Sequence, residues 1–280
     1  MTPAPARLLD SLPKGGVVRV MGIVNVTPDS FSDGGRWIRP DAAVDHALRL
    51  LDEGADILDI GGESTRPGAD PVGADEEIDR VIPVIEAVRA RRPHALISID
   101  TMKPHVARAA VMAGAVMWND VTALTHSSES LSVAADLGCD VVLMHMKGEP
   151  RTMQAAPHYD DVVAEVAGRL DALAGAAMKA GVARGRIWLD PGIGFGKTTA
   201  HNLALTANLD RLTALGFPVL YAASRKRMIQ TLDPAAVDPA ERLGGSLALA
   251  LEGARRGAAM VRVHDVRETV QALRVLAAIV

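Results

Sequence analysis

A single-domain α/β protein closed into a (β/α)8 TIM barrel is the fold this sequence predicts, and three observations predict it. Short apolar runs alternate with helical patterns along the 280 residues, and such alternation gives a parallel sheet. The runs number eight, at 17–26, 56–61, 95–100, 116–120, 140–145, 186–190, 218–223 and 258–263. Eight strands close a barrel whose usual size is about 250 residues. Each run ends in polar side chains: Asn25, Glu63, Asp100, Asn119, His145, Asp190, Lys226, and Arg262 with His264. In a closed barrel those ends converge on one face, where active sites are built from the βα loops. An open sheet would string them along an edge.

The composition agrees. Apolar residues make up 49% of the chain and aromatics only 3%, an aliphatic bias that suits strands buried on both faces. Between the strands, Val44, Leu48 and Leu51 recur at i, i+4 and i+7, as do Leu243, Leu247 and Ala250. Val162, Val166 and Leu170 repeat every fourth residue. Both spacings lay an apolar stripe along a helix. Asp41 and Asp160 stand where N-caps are expected, and Pro104 where a first helical turn accepts proline. No linker or low-complexity run divides the chain, so residues 17–280 read as one barrel and 1–16 as an N-terminal extension.

A net charge of −4 gives no electrostatic footprint for a nucleic-acid or membrane partner. Residues 1–16 hold no apolar signal core, and no run approaches the ~20 residues of a membrane-spanning helix. A cytoplasmic location is therefore expected. The single cysteine, Cys139, opens an apolar run and is expected to be a buried, inert thiol.

Five loops carry candidate chemistry, with plainer readings beside them. Asp190-Pro191-Gly192-Ile193-Gly194-Phe195-Gly196-Lys197-Thr198 is not a P-loop, because Pro191 stands where the first glycine is required. It is either a tight turn needing positive φ or a loop that lets a flat ligand approach the backbone, with Asp190 accepting from an amino-heterocycle. The hydroxyls and arginine of Gly61-Gly62-Glu63-Ser64-Thr65-Arg66-Pro67-Gly68 suit phosphate oxygens, or make an ordinary surface turn. Ser224-Arg225-Lys226-Arg227 and Arg262-Val263-His264-Asp265 follow strands seven and eight, the usual phosphate position in barrels, or form a solvated basic face. Residues 25–35 offer Asn, Asp and hydroxyl oxygens for Mg²⁺, which takes few protein ligands, or form an Asx-rich loop. The eight histidines show no zinc spacing, and no G-x-S-x-G elbow supplies a nucleophile.

Together these segments resemble the dihydropteroate synthase family. The matches run in family order: residues 21–35, Asp59 to Gly68, Ser98-Ile99-Asp100-Thr101, Asn119-Asp120-Val121, Leu143-Met144-His145-Met146, residues 190–197, Ser224-Arg225-Lys226, and Arg262-Val263-His264-Asp265-Val266. Residues 1–16 are not covered. The resemblance implies condensation of 6-hydroxymethyl-7,8-dihydropterin pyrophosphate with p-aminobenzoate, with Mg²⁺ as cofactor and a homodimer as the assembly. It implies that Asp100, Asn119, Met144, Asp190, Phe195 and Lys226 hold the pterin. Thr65, Arg66, Arg262 and His264 would bind pyrophosphate, and Asn25 would ligate Mg²⁺. Phe31, Pro67, Lys226 and Arg227 would line the p-aminobenzoate site, and Lys226, Asp100 and Arg262 would be the catalytic set. The chain departs from the family at Ala222, where glycine is frequent, and at Arg227, where serine is.

The loops 27–35 and 62–68, rich in glycine, serine and proline, are expected to close around pyrophosphate and so build the second substrate's pocket. Two rival readings share the barrel: a pterin-binding methyltransferase domain, which has no use for a pyrophosphate clamp, and a pterin-binding barrel without turnover.

Overall fold

The computed structural model describes residues 18–27, 40–64, 70–148 and 153–279. Its eight strands are β1 Arg19–Asn25, β2 Ile57–Gly61, β3 Ile97–Asp100, β4 Met117–Asp120, β5 Asp140–Met144, β6 Ile187–Asp190, β7 Leu220–Tyr221 and β8 Met260–Val263. They pair in parallel in the order β6-β5-β4-β3-β2-β1-β8-β7, and a parallel bridge from Leu189 to Val219 joins β6 to β7 and closes the barrel.

All eight expected strands are present, each shorter than the apolar run that marked it. The contraction is greatest at β7, where a six-residue expectation becomes two residues. Pro218 opens that run and cannot donate to a neighbour. Its carbonyl still accepts from Leu189 N at 2.9 Å, so the barrel is stitched thinly on this side.

Helices cover the outside: α1 Pro40–Asp52, α2 Ala74–Arg91, α3 Pro104–Met112, α4 Ser130–Leu137, α5 Val162–Lys179, α6 Thr199–Ala207, the short α7 Asp210–Thr213, α8 Arg227–Leu232, α9 Leu243–Arg255 and α10 Val266–Ile279. Val162, Val166 and Leu170 face inward as expected. The faces of α1 and α9 are rotated from expectation. In α1 the buried set is Ala43, Val44, Ala47 and Leu50, with Leu48 and Leu51 only partly buried. Small residues let the helix approach the sheet, and the leucines fill the seams. The same holds in α9, where Ser246, Ala250 and Gly253 are buried. A Cβ on Gly253 would come within 2.6 Å of the Tyr221 ring.

Two capping expectations also need correction. Asp161, not Asp160, caps α5, accepting from Val163 N and Ala164 N, and Asp41 lies inside the first turn of α1. Pro104 is the first residue of α3. Cys139 is buried, and burial pushes its thiol up to about 12, consistent with an inert role. Among the described residues no helix is long and apolar enough to cross a membrane.

The barrel interior is what positions the site. A cluster separate from the helix–sheet core contains Met21, Ile57, Met117, Val142, Trp188, Leu220 and Met260, one each from β1, β2, β4, β5, β6, β7 and β8. Ser98 of β3, also buried, sits in register with Met117. Side chains two residues apart on a strand share a face. The next inward layer, two residues toward the C-terminal ends, is therefore Ile23, Asp59, Asp100, Asn119, Met144, Asp190, Ala222 and Arg262. An apolar plug fills the barrel, and a polar ring lies directly upon it.

Candidate active site

Arg262 organises the ring. Its Nε donates to Asp59 Oδ2 at 2.5 Å and its Nη2 to Asp100 Oδ2 at 2.7 Å. Asn119 Nδ2 donates to the same Asp59 oxygen at 2.9 Å. One guanidinium thus spans β2, β3 and β8, whose ends would otherwise bring two carboxylates together unopposed. Asp59 is fully buried, and among the described residues no donor reaches its Oδ1.

Burial pushes the carboxyl of Asp100 above the usual carboxylate range. Arg262 pulls against burial, and Asp59, Glu77 and Asp120 add to it. Burial likewise pushes Asp190 up to about 6, opposed by the N–H of Gly192 and by Lys226, Arg262 and Lys197.

The loops after β7 and β8 are locked to each other. Arg225 adopts φ +57°, a left-handed conformation that costs a non-glycine residue roughly 1–3 kcal/mol. Its surroundings hold it there. Its N–H donates to Ser246 Oγ at 2.9 Å, its carbonyl accepts from Arg242 Nη1 at 3.0 Å, and its guanidinium grips both oxygens of Asp265. The turn delivers Lys226 as the N-cap of α8, with Nζ 4.3 Å from the centre of the Phe195 ring.

Beside it, Ser224 Oγ accepts from His264 N at 3.2 Å and lies 3.0 Å from His264 Nδ1. If the hydroxyl donates to Nδ1, the ring proton sits on Nε2, a tautomer assigned from this network. Burial, with Arg262 and Arg225, holds the His264 pKa down to about 3. The His264 imidazole is therefore neutral near pH 7.

A second buried ion cluster anchors the loop after β2. Lys103 Nζ donates to Glu63 Oε2 at 2.6 Å and to the fully buried Glu77 at 2.5 Å. The other oxygen of Glu63 accepts from Val72 N at 3.0 Å. Both ends of the loop are tied to one lysine.

The structure therefore brings Asp100, Asn119, Met144, Asp190, Phe195, Lys226, Arg262 and His264 to the C-terminal mouth of the barrel. Asn25 joins them at the end of β1, in register with Gly61. Arg227 is exposed as the first residue of α8. Phe31, Thr65, Arg66 and Pro67, and most of the two loops expected to close, lie outside the described residues.

Sequence reasoning gave no role to Asp59, Lys103 or Lys197. The one signal available for each was a charged residue in or beside an apolar strand. Among the described residues no group of three or more His, Cys, Asp or Glu could hold a metal. Asn25 supplies a hard oxygen donor of the kind Mg²⁺ uses alongside substrate phosphates and water.

The fold and this ring define a (β/α)8 barrel with a polar site at its C-terminal mouth. Residues 21–264 match the family described as Pterin binding enzyme. The dihydropteroate synthase of Escherichia coli strain K12 is 50% identical over 260 residues, covering 92% of this chain and 90% of that protein. The Xanthomonas albilineans dihydropteroate synthase solved with 4-aminobenzoic acid has 55% sequence identity and a TM-score of 0.88, covering 94% of this chain and 93% of that one. The structure of dihydropteroate synthase from Xanthomonas albilineans in complex with 7,8-dihydropteroate gives 52% identity and a TM-score of 0.85, covering 94% of each chain. The chain belongs to the pterin-binding enzymes and, among them, to the dihydropteroate synthase family.

The raised pKa of Asp190 has a consequence for stability. Between about pH 4 and its folded value of about 6, the unfolded chain ionises this carboxyl while the folded chain holds its proton. Stability is lost across that window, by up to about 3 kcal/mol. Asp190→Asn should therefore be more stable than wild type by about 1–3 kcal/mol at pH 8, with the gap closing toward pH 4. Urea melts at both values check this. A variant equally stable, or less so, at pH 8 would show that Asp190 is not strained by burial.

Proposed function

We propose that this chain is a transferase that condenses 6-hydroxymethyl-7,8-dihydropterin pyrophosphate with p-aminobenzoate, giving 7,8-dihydropteroate and pyrophosphate. The polar ring on the apolar plug carries the reading. In it, Asp100, Asn119, Asp190 and Arg262 face one mouth, and the chain is half identical to a dihydropteroate synthase over nine-tenths of its length.

In this reading Asp190 and Asn119 hold the hydrogen-bonding edges of the pterin, and Met144 and Phe195 form its slot. The C–O bond to pyrophosphate breaks first, its electron pair leaving with the phosphate oxygen. Positive charge is left on the exocyclic methylene and spread into the ring. Asp100 faces that charge as a carboxylate, and the developing cation favours its ionised form. Arg262, with donors remaining after Asp59 and Asp100 are served, and neutral His264 receive the leaving group. Thr65 and Arg66 complete the clamp.

Asn25 would hold Mg²⁺, which would supply neutralising charge at the pyrophosphate. The aniline nitrogen of p-aminobenzoate, lined by Phe31, Pro67, Lys226 and Arg227, then forms the C–N bond and releases its proton. A weakly basic aniline arrives unprotonated, so no strong general base is needed. The same reading includes a homodimer, which rests on the family resemblance, and the cytoplasmic location expected from the sequence.

Purified protein should release pyrophosphate only when the pterin pyrophosphate, p-aminobenzoate and Mg²⁺ are all present, with dihydropteroate formed in equal amount. Equal release from the pterin substrate alone, without dihydropteroate, would make the protein a hydrolase. Binding order follows from the loops that carry the clamp and the second pocket. Titrated calorimetrically, p-aminobenzoate should bind at least tenfold more tightly with pyrophosphate and Mg²⁺ than without, and linkage demands the reciprocal effect. Equal affinities in the two titrations would mean a preformed pocket.

A further inference from the structure

Lys197 stands apart from the residues given a role above. The residue is 3% exposed. Its Nζ lies 3.0 Å from His145 Nδ1, 3.2 Å from His145 O, 3.0 Å from Gly192 O and 3.0 Å from Phe195 O. Among the described residues no carboxylate lies within hydrogen-bond reach of it. A buried cation held by backbone carbonyls and an imidazole is an expensive way to close a turn, and its placement shows what it does.

The loop after β6 runs directly over the chain that leaves β5. Gly192 has φ +67°, and a Cβ there would lie 1.9 Å from His145 O. Gly196 has φ +60°, and a Cβ there would lie 2.2 Å from Lys147 O. No side chain fits between the two segments, so their separation is set by whatever bridges their carbonyls. Lys197 is that bridge.

By gripping Gly192 O and Phe195 O together, Lys197 fixes both ends of the turn, which Phe195 N to Gly192 O closes at 3.1 Å. Gly192 N is thereby directed onto Asp190 Oδ1 at 2.7 Å, and the Phe195 ring is held against Lys226. Other side chains complete the loop: Asn202 accepts from Gly194 N at 2.9 Å, and Tyr159 donates to Gly196 O at 2.9 Å.

We propose that Lys197, paired with His145, is a positioning residue for the pterin side of the site, setting the orientation of Asp190 and Phe195 through the 192–195 turn. The inference rests on the reading that those two residues contact the pterin. Burial brings the Lys197 pKa down to about 7, against the pull of Asp190, and holds that of His145 down to about 3, with Lys197 adding to the effect. The imidazole is therefore neutral. Its Nδ1 accepts from an ammonium or donates to an amine, and the contact persists in either state.

The test uses the whole chain and two variants, Lys197→Met and His145→Leu, with pterin-6-carboxylate as the probe in calorimetry and steady-state KM values for both substrates. Circular dichroism identifies folded protein. Folded Lys197→Met should bind pterin-6-carboxylate at least tenfold more weakly, with the KM for p-aminobenzoate at saturating pterin substrate changed less than twofold. His145→Leu, which removes one of four contacts, should weaken the probe about threefold in the same selective way, and it decides the matter if Lys197→Met does not fold. Probe affinity within twofold of wild type in the folded variants, or equal losses on both substrates, would overturn the inference. A wild-type protein that binds no pterin probe would instead overturn the functional reading beneath it.

Discussion

The hydrogen bonds from Arg262 to Asp59 and Asp100 are the interaction on which the mouth of this barrel depends. Parallel strands closed into a barrel bring their C-terminal ends together, and here those ends carry Asp59, Asp100, Asn119 and Asp190 on top of an apolar plug. Carboxylates at that depth repel one another and lose their hydration. One guanidinium, pre-organised as a planar fork and always charged, offsets two of them. Buried ion pairs of this kind rarely add net stability over apolar packing, yet removing one partner is costly, because the other charge is stranded. The arrangement is better understood as a device for keeping carboxylates in a dry site than as a stabilising feature.

The same logic recurs around the rim. Lys103 holds Glu63 and Glu77, Arg225 holds Asp265, and Lys197 holds carbonyls. Each cation joins two loops from different strands. The barrel supplies rigidity below, and these bridges carry it up into segments that would otherwise move independently. The polar groups at the mouth are thereby held on rigid elements.

The eight strands and the residues at their ends were legible because short apolar runs and their polar stops are local signals. The length of β7 was not, because it depends on how Pro218 meets β6. The buried faces of α1 and α9 were misjudged for a related reason. Leucines mark an apolar stripe in sequence, but alanine, serine and glycine are what allow a helix close to a sheet. Within the ring, Asp100, Asn119 and Asp190 stood out as strand-end residues. Asp59 did not, because it sits two residues inside β2, and only the hydrogen bonds it accepts from Arg262 and Asn119 join it to the site. Lys197 was hidden by a motif that looks like a nucleotide loop and is not one. Its role lies in carbonyls 2 to 52 positions away in sequence.

The central claim is that Arg262 and Asp100 act as one charge-balanced unit. A double-mutant cycle on stability tests it most directly, with Asp100→Asn, Arg262→Met and the double variant melted in urea at pH 8, where the carboxyl is ionised unless held otherwise. The account predicts a coupling of about 1–3 kcal/mol, the double variant being less damaged than the sum of the singles. Additivity within about 0.5 kcal/mol would contradict it, and would mean that the two groups are balanced by other partners.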